Sequence, residues 1–128
     1  AKLQHPTEVI NGVAAIANEQ DWLSRDVPKV VMSKTRRLLY MSRAPIPMTK
    51  DGKFTSALRQ VCIYAFTPQE LALFTKRPTK TPIESIEEIE ILRFLEMDYP
   101  VRMAMVSGHS SAVDQPEYVK KVEALLND

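Results

Sequence analysis

The chain has 128 residues, of which 45% are hydrophobic and 26% are charged, and its formal net charge is +1. This length and composition predict one globular domain, residues 1–128, with a sizeable core. The near-neutral charge gives no electrostatic reason to expect nucleic acid or an acidic membrane surface as a partner. No apolar run reaches the length of a membrane-spanning helix.

Cysteine and glycine usage narrows the function classes further. The single cysteine, Cys62, lies in an apolar run, which predicts a buried, reduced thiol in a cytoplasmic protein. The chain has only three glycines, Gly12, Gly52 and Gly108. Because a phosphate-binding loop needs several glycines close together, this sequence excludes one.

The N-terminal third predicts two strands around a short helix. Residues 9–16 are rich in β-branched side chains and predict a buried strand, with Gly12 where another backbone comes close. A helix beginning at Glu8 is the alternative, and the Asn-Gly pair within the run disfavours it. Residues 18–26 predict a short helical turn with Trp22 and Leu23 facing inward. Residues 29–32 then predict a second strand.

Residues 38–47 begin as an apolar strand and end in a proline-rich turn. A polar hairpin turn over residues 33–37 leads into this strand, which we predict to be the central one, over residues 38–41. It carries Arg43 to its own end, where a cation can lie at the lip of a pocket. The alternative is an edge strand with a surface arginine.

The second half predicts further strands and helices. Residues 60–66 form a near-continuous apolar run, typical of a strand buried on both faces. Helix-start signals at Thr67 and Thr81, each followed by Pro and then Glu, open a short helix and the longest helix of the chain, residues 81–97. The broad apolar stripe of that helix predicts packing against the sheet and a neighbouring chain. A strand over residues 101–106 and a helix opening at residues 113–117 complete an α/β chain with a mixed sheet and flanking helices.

Asp114 is the candidate metal ligand. It directly precedes the last predicted helix, and a carboxylate there can bind a hard cation such as Mg²⁺. The alternative is a helix cap paired with Glu117. The two histidines, His5 and His109, and the single cysteine lack the spacing of a zinc site.

Cations and strand side chains offer candidate contacts to a substrate. Lys29 and Arg43 are able to clamp a carboxylate, although each more commonly forms a structural or surface ion pair. Gln60 and Tyr64 lie on one face of a predicted strand, at even spacing with Cys62, and predict a polar pocket. A buried tyrosine bonded to the backbone is the alternative.

Glu84 and Ser85 open the long predicted helix. First-turn positions can present side chains and free N–H groups to an anion or a hydroxylated ligand. The alternative is a glutamate that stabilises the helix dipole.

Several segments, in this order, resemble one family. That family is the 3-deoxy-D-manno-octulosonate (Kdo) cytidylyltransferases, or CMP-Kdo synthetases, with their relatives acting on similar acidic sugars. The matching segments are residues 29–31 (Lys-Val-Val), 39–47 (Leu-Tyr-Met-Ser-Arg-Ala-Pro-Ile-Pro), 61–66 (Val-Cys-Ile-Tyr-Ala-Phe), 81–87 (Thr-Pro-Ile-Glu-Ser-Ile-Glu), 92–96 (Leu-Arg-Phe-Leu-Glu) and 113–117 (Val-Asp-Gln-Pro-Glu).

The resemblance implies the C-terminal half of a nucleotide-sugar-transferase-like, Rossmann-type fold. It also implies a reaction in which the anomeric hydroxyl of an acidic sugar attacks the α-phosphate of CTP, assisted by Mg²⁺, with loss of pyrophosphate. Such enzymes serve lipopolysaccharide or capsule precursor synthesis. A homodimer in the cytoplasm is the implied assembly and location.

The resemblance also assigns roles to individual residues. Asp114 matches a magnesium ligand, and Arg43 matches an arginine near the sugar pocket and the dimer contact. Gln60 stands where the Kdo enzymes usually carry a sugar-binding histidine, and Tyr64 matches the strand tyrosine. The remaining matches are Lys29, in the family's Val-Lys-Val-Val segment, and the pair Glu84 and Ser85, in a segment that contacts the sugar.

Departures from the family pattern qualify the resemblance. Gln60, Ser85 and Gln115 are atypical, which leaves the identity of the sugar open. The nucleotide-binding loop and the Asp-Glu-Pro segment with the other magnesium ligand are absent from these 128 residues. We therefore expect an N-terminal half that is missing here, no catalysis by this chain alone, and self-association through exposed sheet edges. The alternatives are a non-catalytic dimerisation or interaction module derived from such an enzyme, and an unrelated α/β binding domain.

Overall fold

The computed structural model describes residues 8–75 and 79–106. The helix predicted from residue 113, with Asp114, and both histidines lie outside the described residues. The strands are β1 (Val9–Ala15), β2 (Lys29–Met32), β3 (Leu38–Ser42), β4 (Leu58–Ala65) and β5 (Val101–Met105). The helices are α1 (Glu19–Leu23), α2 (Pro68–Thr75), α3 (Pro82–Glu87) and α4 (Leu92–Glu96).

The strands form one mixed sheet in the order β3-β2-β4-β1-β5. β1 runs parallel to β5 and antiparallel to β4, while β2 is antiparallel to both β3 and β4. The predicted α/β class with a mixed sheet is therefore confirmed. The prediction that residues 38–41 form the central strand is wrong, because β3 lies at an edge of the described sheet, where its one ladder partner is β2.

β1 and β4 meet in a pairing that is broken beside Gly12. Asn11 pairs with Tyr64, but Gly12 pairs with Val61, so the register shifts between these two neighbours. A Cβ atom added at Gly12 would lie 3.2 Å from the Val61 Cβ and 3.3 Å from the Val61 carbonyl oxygen. The predicted close approach of a backbone at Gly12 is thus confirmed.

The sheet carries apolar residues on both faces because side chains alternate along each strand. Val9 and Val13 of β1 join the larger cluster, which also takes in Ile89, Ile91, Leu92 and Phe94 from the segment around α4. Ile10 and Ala14 of the same strand belong to a second cluster with Val61, Ile63, Ala104 and Val106. The α3–α4 segment therefore covers the face that Val9 and Val13 occupy.

The single long helix predicted over residues 81–97 is wrong. α3 ends at Glu87, and Glu88 takes the left-handed conformation with φ 55°. The chain then turns into α4, which buries Leu92 and Phe94, whereas Ile86 is 82% exposed. The turn at Glu88 changes the direction of the chain, so that Leu92 and Phe94 of α4 pack into the core cluster on the sheet. One straight helix would not direct these side chains onto the sheet.

Two predicted buried side chains are exposed. Leu23 is 53% exposed, although Trp22 beside it is fully buried as predicted. Cys62 is exposed as well. It lies in the register shift between β1 and β4, and its exposure shows that the predicted buried thiol is wrong. Within residues 8–75 and 79–106, no helix is long and apolar enough to cross a membrane.

Candidate functional site

Three polar side chains meet where β1 and β4 pair irregularly. The Asn11 side chain is fully buried, and its Nδ2 donates to the carbonyl oxygens of Val61 and Ile63, each at 3.0 Å. Gln60 Nε2 donates to Asn11 Oδ1 and to the Tyr64 hydroxyl, again at 3.0 Å each. The structure thus brings Gln60 and Tyr64 together, as their spacing predicted.

Asn11 was missed by the sequence analysis. The signal was available, since an asparagine inside a run of β-branched residues is a polar group in a buried strand and must find partners there. What could not be seen was that its partners come from about 50 residues away.

Tyr64 also lines a cavity of about 130 Å³. The other walls are aromatic, aliphatic and acidic side chains: Phe66, Leu71, Phe74, Glu90, Ile91 and Phe94. The Tyr64 and Phe66 rings stack with centroids 5.5 Å apart. Burial, followed by the nearby Cys62 thiol and the charge of Glu90, raises the pKa of Tyr64. Its hydroxyl therefore stays protonated at neutral pH and keeps a hydrogen to donate.

Arg43 is held by main-chain carbonyl groups. Its Nη1 donates to the Arg25 oxygen at 2.8 Å, its Nη2 to the Glu88 oxygen at 3.0 Å, and its Nε to the Glu87 oxygen. The Glu87 and Glu88 oxygens lie at the end of α3, where helical carbonyls lack internal partners, whereas the Arg25 oxygen lies just beyond α1. Arg43 thus ties the end of β3 to the end of α3, and its predicted contact with a sugar stays a prediction.

Lys29 is fully buried, and its Nζ donates to the Ser24 carbonyl oxygen at 2.5 Å. Burial, and then the positive charge of Arg43, lowers the pKa of Lys29, although Glu87 acts in the opposite direction. The two predicted cations therefore act on each other electrostatically. The predicted role of Lys29 in binding a substrate carboxylate is not tested by this arrangement.

Glu87 is the acceptor that organises this region, and no sequence signal singled it out. Its Oε2 accepts from the Tyr40 hydroxyl at 2.9 Å and from the Ser42 hydroxyl, while Oε1 accepts from the Arg43 N–H at 3.0 Å. Burial alone would raise the pKa of Glu87, but these hydrogen bonds outweigh it and lower the pKa. Glu87 therefore remains ionised and anchors α3 on β3.

Glu84 and Ser85 lie in very different surroundings. Glu84 is buried and completes a capping box with Thr81, whose N–H donates to Glu84 Oε1 at 3.0 Å. The same carboxylate takes two hydrogen bonds from Arg93, which the sequence analysis did not single out. Ser85 is exposed on the next position of the helix. The predicted sugar contacts of this pair remain predictions, with Ser85 the one open to solvent.

No group of three metal-binding side chains occurs among residues 8–75 and 79–106. The predicted magnesium ligand, Asp114, lies outside the described residues. The magnesium site thus stays a prediction.

Comparisons with known proteins give the chain its relatives. No protein-family model matches it. It is 36% identical over 109 residues to the 3-deoxy-manno-octulosonate cytidylyltransferase of Syntrophobacter fumaroxidans, covering 84% of this chain and 43% of that protein. It is 33% identical over 119 residues to the protein of the same name from Chlamydia pneumoniae, covering 93% of this chain and 46% of that one. The chain thus spans about half the length of these relatives.

A solved structure agrees with these sequence matches. It is a CMP:2-keto-3-deoxy-manno-octonic acid synthetase complexed with CTP, and it superimposes with a TM-score of 0.76 at 28% identity. The match covers 98% of this chain and 52% of that structure. The fold predicted from the family resemblance is therefore confirmed.

Proposed function

We propose that this chain, which is similar to 3-deoxy-manno-octulosonate cytidylyltransferases over about half of their length, forms the sugar-binding half of such an enzyme. The whole enzyme would transfer CMP from CTP to an acidic 3-deoxy-2-keto sugar resembling Kdo and release pyrophosphate. The product would be a precursor of lipopolysaccharide or capsule, made in the cytoplasm.

The observation that carries this proposal is the polar group on β4. Gln60 and Tyr64 are hydrogen-bonded to each other beside a cavity with aromatic walls. Aromatic faces with a few oriented polar groups suit a sugar, which offers both C–H faces and hydroxyl groups. The family resemblance independently gives Gln60 to the sugar site, and Tyr64 matches the tyrosine of the family's strand.

CTP would bind to the other half of the enzyme. The sequence has too few glycines for a phosphate-binding loop. Mg²⁺ would be held by Asp114 together with a carboxylate from that other half, since magnesium bound to phosphates typically takes one or two protein carboxylates. This chain alone would bind the sugar without releasing pyrophosphate.

The proposal is tested with the 128-residue chain and Kdo as the probe. In a titration followed by NMR, we expect the resonances of Tyr64 and Phe66 to shift with added Kdo, and CTP to leave them in place. A Tyr64→Phe variant should bind Kdo about tenfold more weakly, because one hydrogen bond is lost. An exposed control, Lys53→Met, should bind as the wild type does.

Two results would contradict the proposal. Absence of any Kdo-dependent shift at millimolar concentration would refute sugar binding by this half. Pyrophosphate release from CTP and Kdo by this chain alone would refute the division of labour between the two halves.

We also propose a homodimer, and exposed apolar side chains support it. Leu39, on the edge strand β3, is 56% exposed, and Ile86 on α3 is 82% exposed. The same observation favours the second candidate function, a non-catalytic dimerisation module. Sedimentation velocity should show a dimer that Leu39→Lys or Ile86→Lys weakens, and a monomer at all concentrations would contradict both ideas. If the chain is a dimer, binding of Kdo would favour the enzyme half, and absence of Kdo binding would favour the non-catalytic dimerisation module.

A further inference from the structure

Two backbone carbonyl groups fix the orientation of the Asn11 side-chain amide. Two carbonyl oxygens, of Val61 and Ile63, both face one end of the Asn11 amide. Carbonyl oxygens only accept, so that end must be the NH₂ group, which has two hydrogens to give. The irregular pairing of β1 and β4 thereby fixes which way the buried amide points.

The orientation of the Asn11 amide in turn fixes the orientation of the Gln60 amide. With its nitrogen committed, Asn11 presents Oδ1 to Gln60, and only a donor can approach it at 3.0 Å. The Gln60 amide must therefore turn its Nε2 inward. Within the part of the chain that the structure describes, Gln60 Oε1 has no hydrogen-bond partner. This oxygen is not fully buried, so it is accessible from outside.

Gln60 in turn decides the role of the Tyr64 hydroxyl. The second hydrogen of Gln60 Nε2 goes to the Tyr64 oxygen. Because the Tyr64 oxygen accepts this bond, the hydroxyl hydrogen of Tyr64 is left to donate to another group. Tyr64 also lines the cavity together with Phe66 and Glu90, so a ligand in that cavity can receive this hydrogen.

We propose that Asn11 is the positioning residue of this site: it orients Gln60 so that Tyr64 presents an O–H donor and Gln60 presents an acceptor to the ligand. The site then selects a ligand with an acceptor oxygen opposite Tyr64 and a hydroxyl hydrogen opposite Gln60 Oε1. The orientation stands on the hydrogen bonds alone, whereas the identity of the ligand as an acidic sugar rests on the proposed function.

A purely structural role for Asn11 predicts something different. If Asn11 only satisfies the two carbonyl groups of β4, its loss lowers the stability of the fold. The Gln60 amide can then rotate, but ligand binding does not change. If Asn11 is a positioning residue, its effect on binding passes through Gln60 and disappears when Gln60 is removed.

The orientation is tested first without any ligand, by NMR of the wild-type chain. Both hydrogens of the Gln60 side-chain amide should exchange slowly with water, with nuclear Overhauser contacts to Asn11 and to the Tyr64 ring. In Asn11→Leu, these hydrogens should exchange faster. The control Val13→Ala, on the same strand, should leave them slow. Fast exchange in the wild type would overturn the proposal, as would slow exchange in a folded Asn11→Leu chain.

The second arm uses Kdo and a double-mutant cycle. Asn11→Leu should raise the Kd for Kdo about tenfold, as should Gln60→Leu, and the double variant should bind no more weakly than Gln60→Leu alone. Independent, multiplying losses would overturn the positioning role. If the wild-type chain fails to bind Kdo, the proposed function fails, while the amide exchange still decides the orientation by itself.

Discussion

The Glu84 carboxylate and the Arg93 guanidinium form a two-point ion pair inside the protein. Arg93 Nε lies 2.8 Å from Glu84 Oε1, and Nη2 lies 3.0 Å from Oε2. The two side chains are only 1% and 8% exposed. Arg93 also donates to the Phe74 carbonyl oxygen and lies 3.9 Å from the centre of the Phe74 ring. One arginine therefore joins α2, α3 and α4.

Removing Arg93 should destabilise the chain strongly. Arg93→Met leaves the Glu84 carboxylate buried without its cation, and such a loss costs about 3 kcal/mol or more in the free energy of unfolding. Urea denaturation measures this. The matched control is Lys53→Met, which breaks an ion pair with side chains 79% and 65% exposed and should cost under about 1 kcal/mol. Equal losses in the two variants would contradict the prediction.

The hydrogen-bonded Glu87 carboxylate should make the free energy of unfolding depend on pH in the acid range. Because the folded state lowers its pKa from the ordinary value of 4.5, Glu87 stabilises the fold fully above that value. This contribution is lost as the pH falls through 4.5 toward the lower folded pKa. Glu87→Gln should be less stable than the wild type at pH 7 by about 1 kcal/mol, and the difference should shrink in acid. Chemical denaturation between pH 7 and about pH 3 measures it; a constant difference would contradict it.

Glu88 should be a site where glycine stabilises the protein. Its φ of 55° is unfavourable for a residue with a Cβ atom, by about 1 kcal/mol, and glycine avoids that cost. Glu88→Gly should therefore raise the free energy of unfolding by up to about 1 kcal/mol, measured by denaturation. Glu90→Gly is the control and should lower it, because glycine gains entropy in the unfolded chain there without relief of strain. A loss of stability in Glu88→Gly would contradict the strain argument.

Gly12 should tolerate no side chain without cost. A methyl group there would meet the backbone and side chain of Val61 at 3.3 and 3.2 Å, so β1 and β4 must separate slightly. Gly12→Ala should lower the free energy of unfolding by about 1 kcal/mol or more. It should also speed hydrogen exchange of the Gln60 side-chain amide, because Asn11 is its neighbour. If neither the free energy of unfolding nor the amide exchange changes, β1 and β4 can accommodate the added methyl group, and the prediction is contradicted.

Local chemistry explains which parts of the fold could be predicted. Thr81 and Glu84 lie three positions apart and form the capping box that their spacing indicates. Val30 and Val31 form the strand that β-branched residues favour. The break at Glu88 could not be predicted, because a left-handed residue is locally unfavourable. It persists because burying Ile89 and Leu92 and pairing Arg93 with Glu84 outweighs that cost.

The sequence by itself determined the α/β class and the positions of the strands, and the order of its motifs indicated the family that it resembles. Those features depend on neighbours in the chain. Only the tertiary structure decided which polar groups meet: Asn11 with Gln60, 49 residues apart, and Tyr40 with Glu87, 47 apart. The first contact follows from the pairing of β1 with β4 and its register shift, and the second from the packing of α3 against β3. A shift in pairing changes every cross-strand partner beyond it, and local residue preferences carry little information about it.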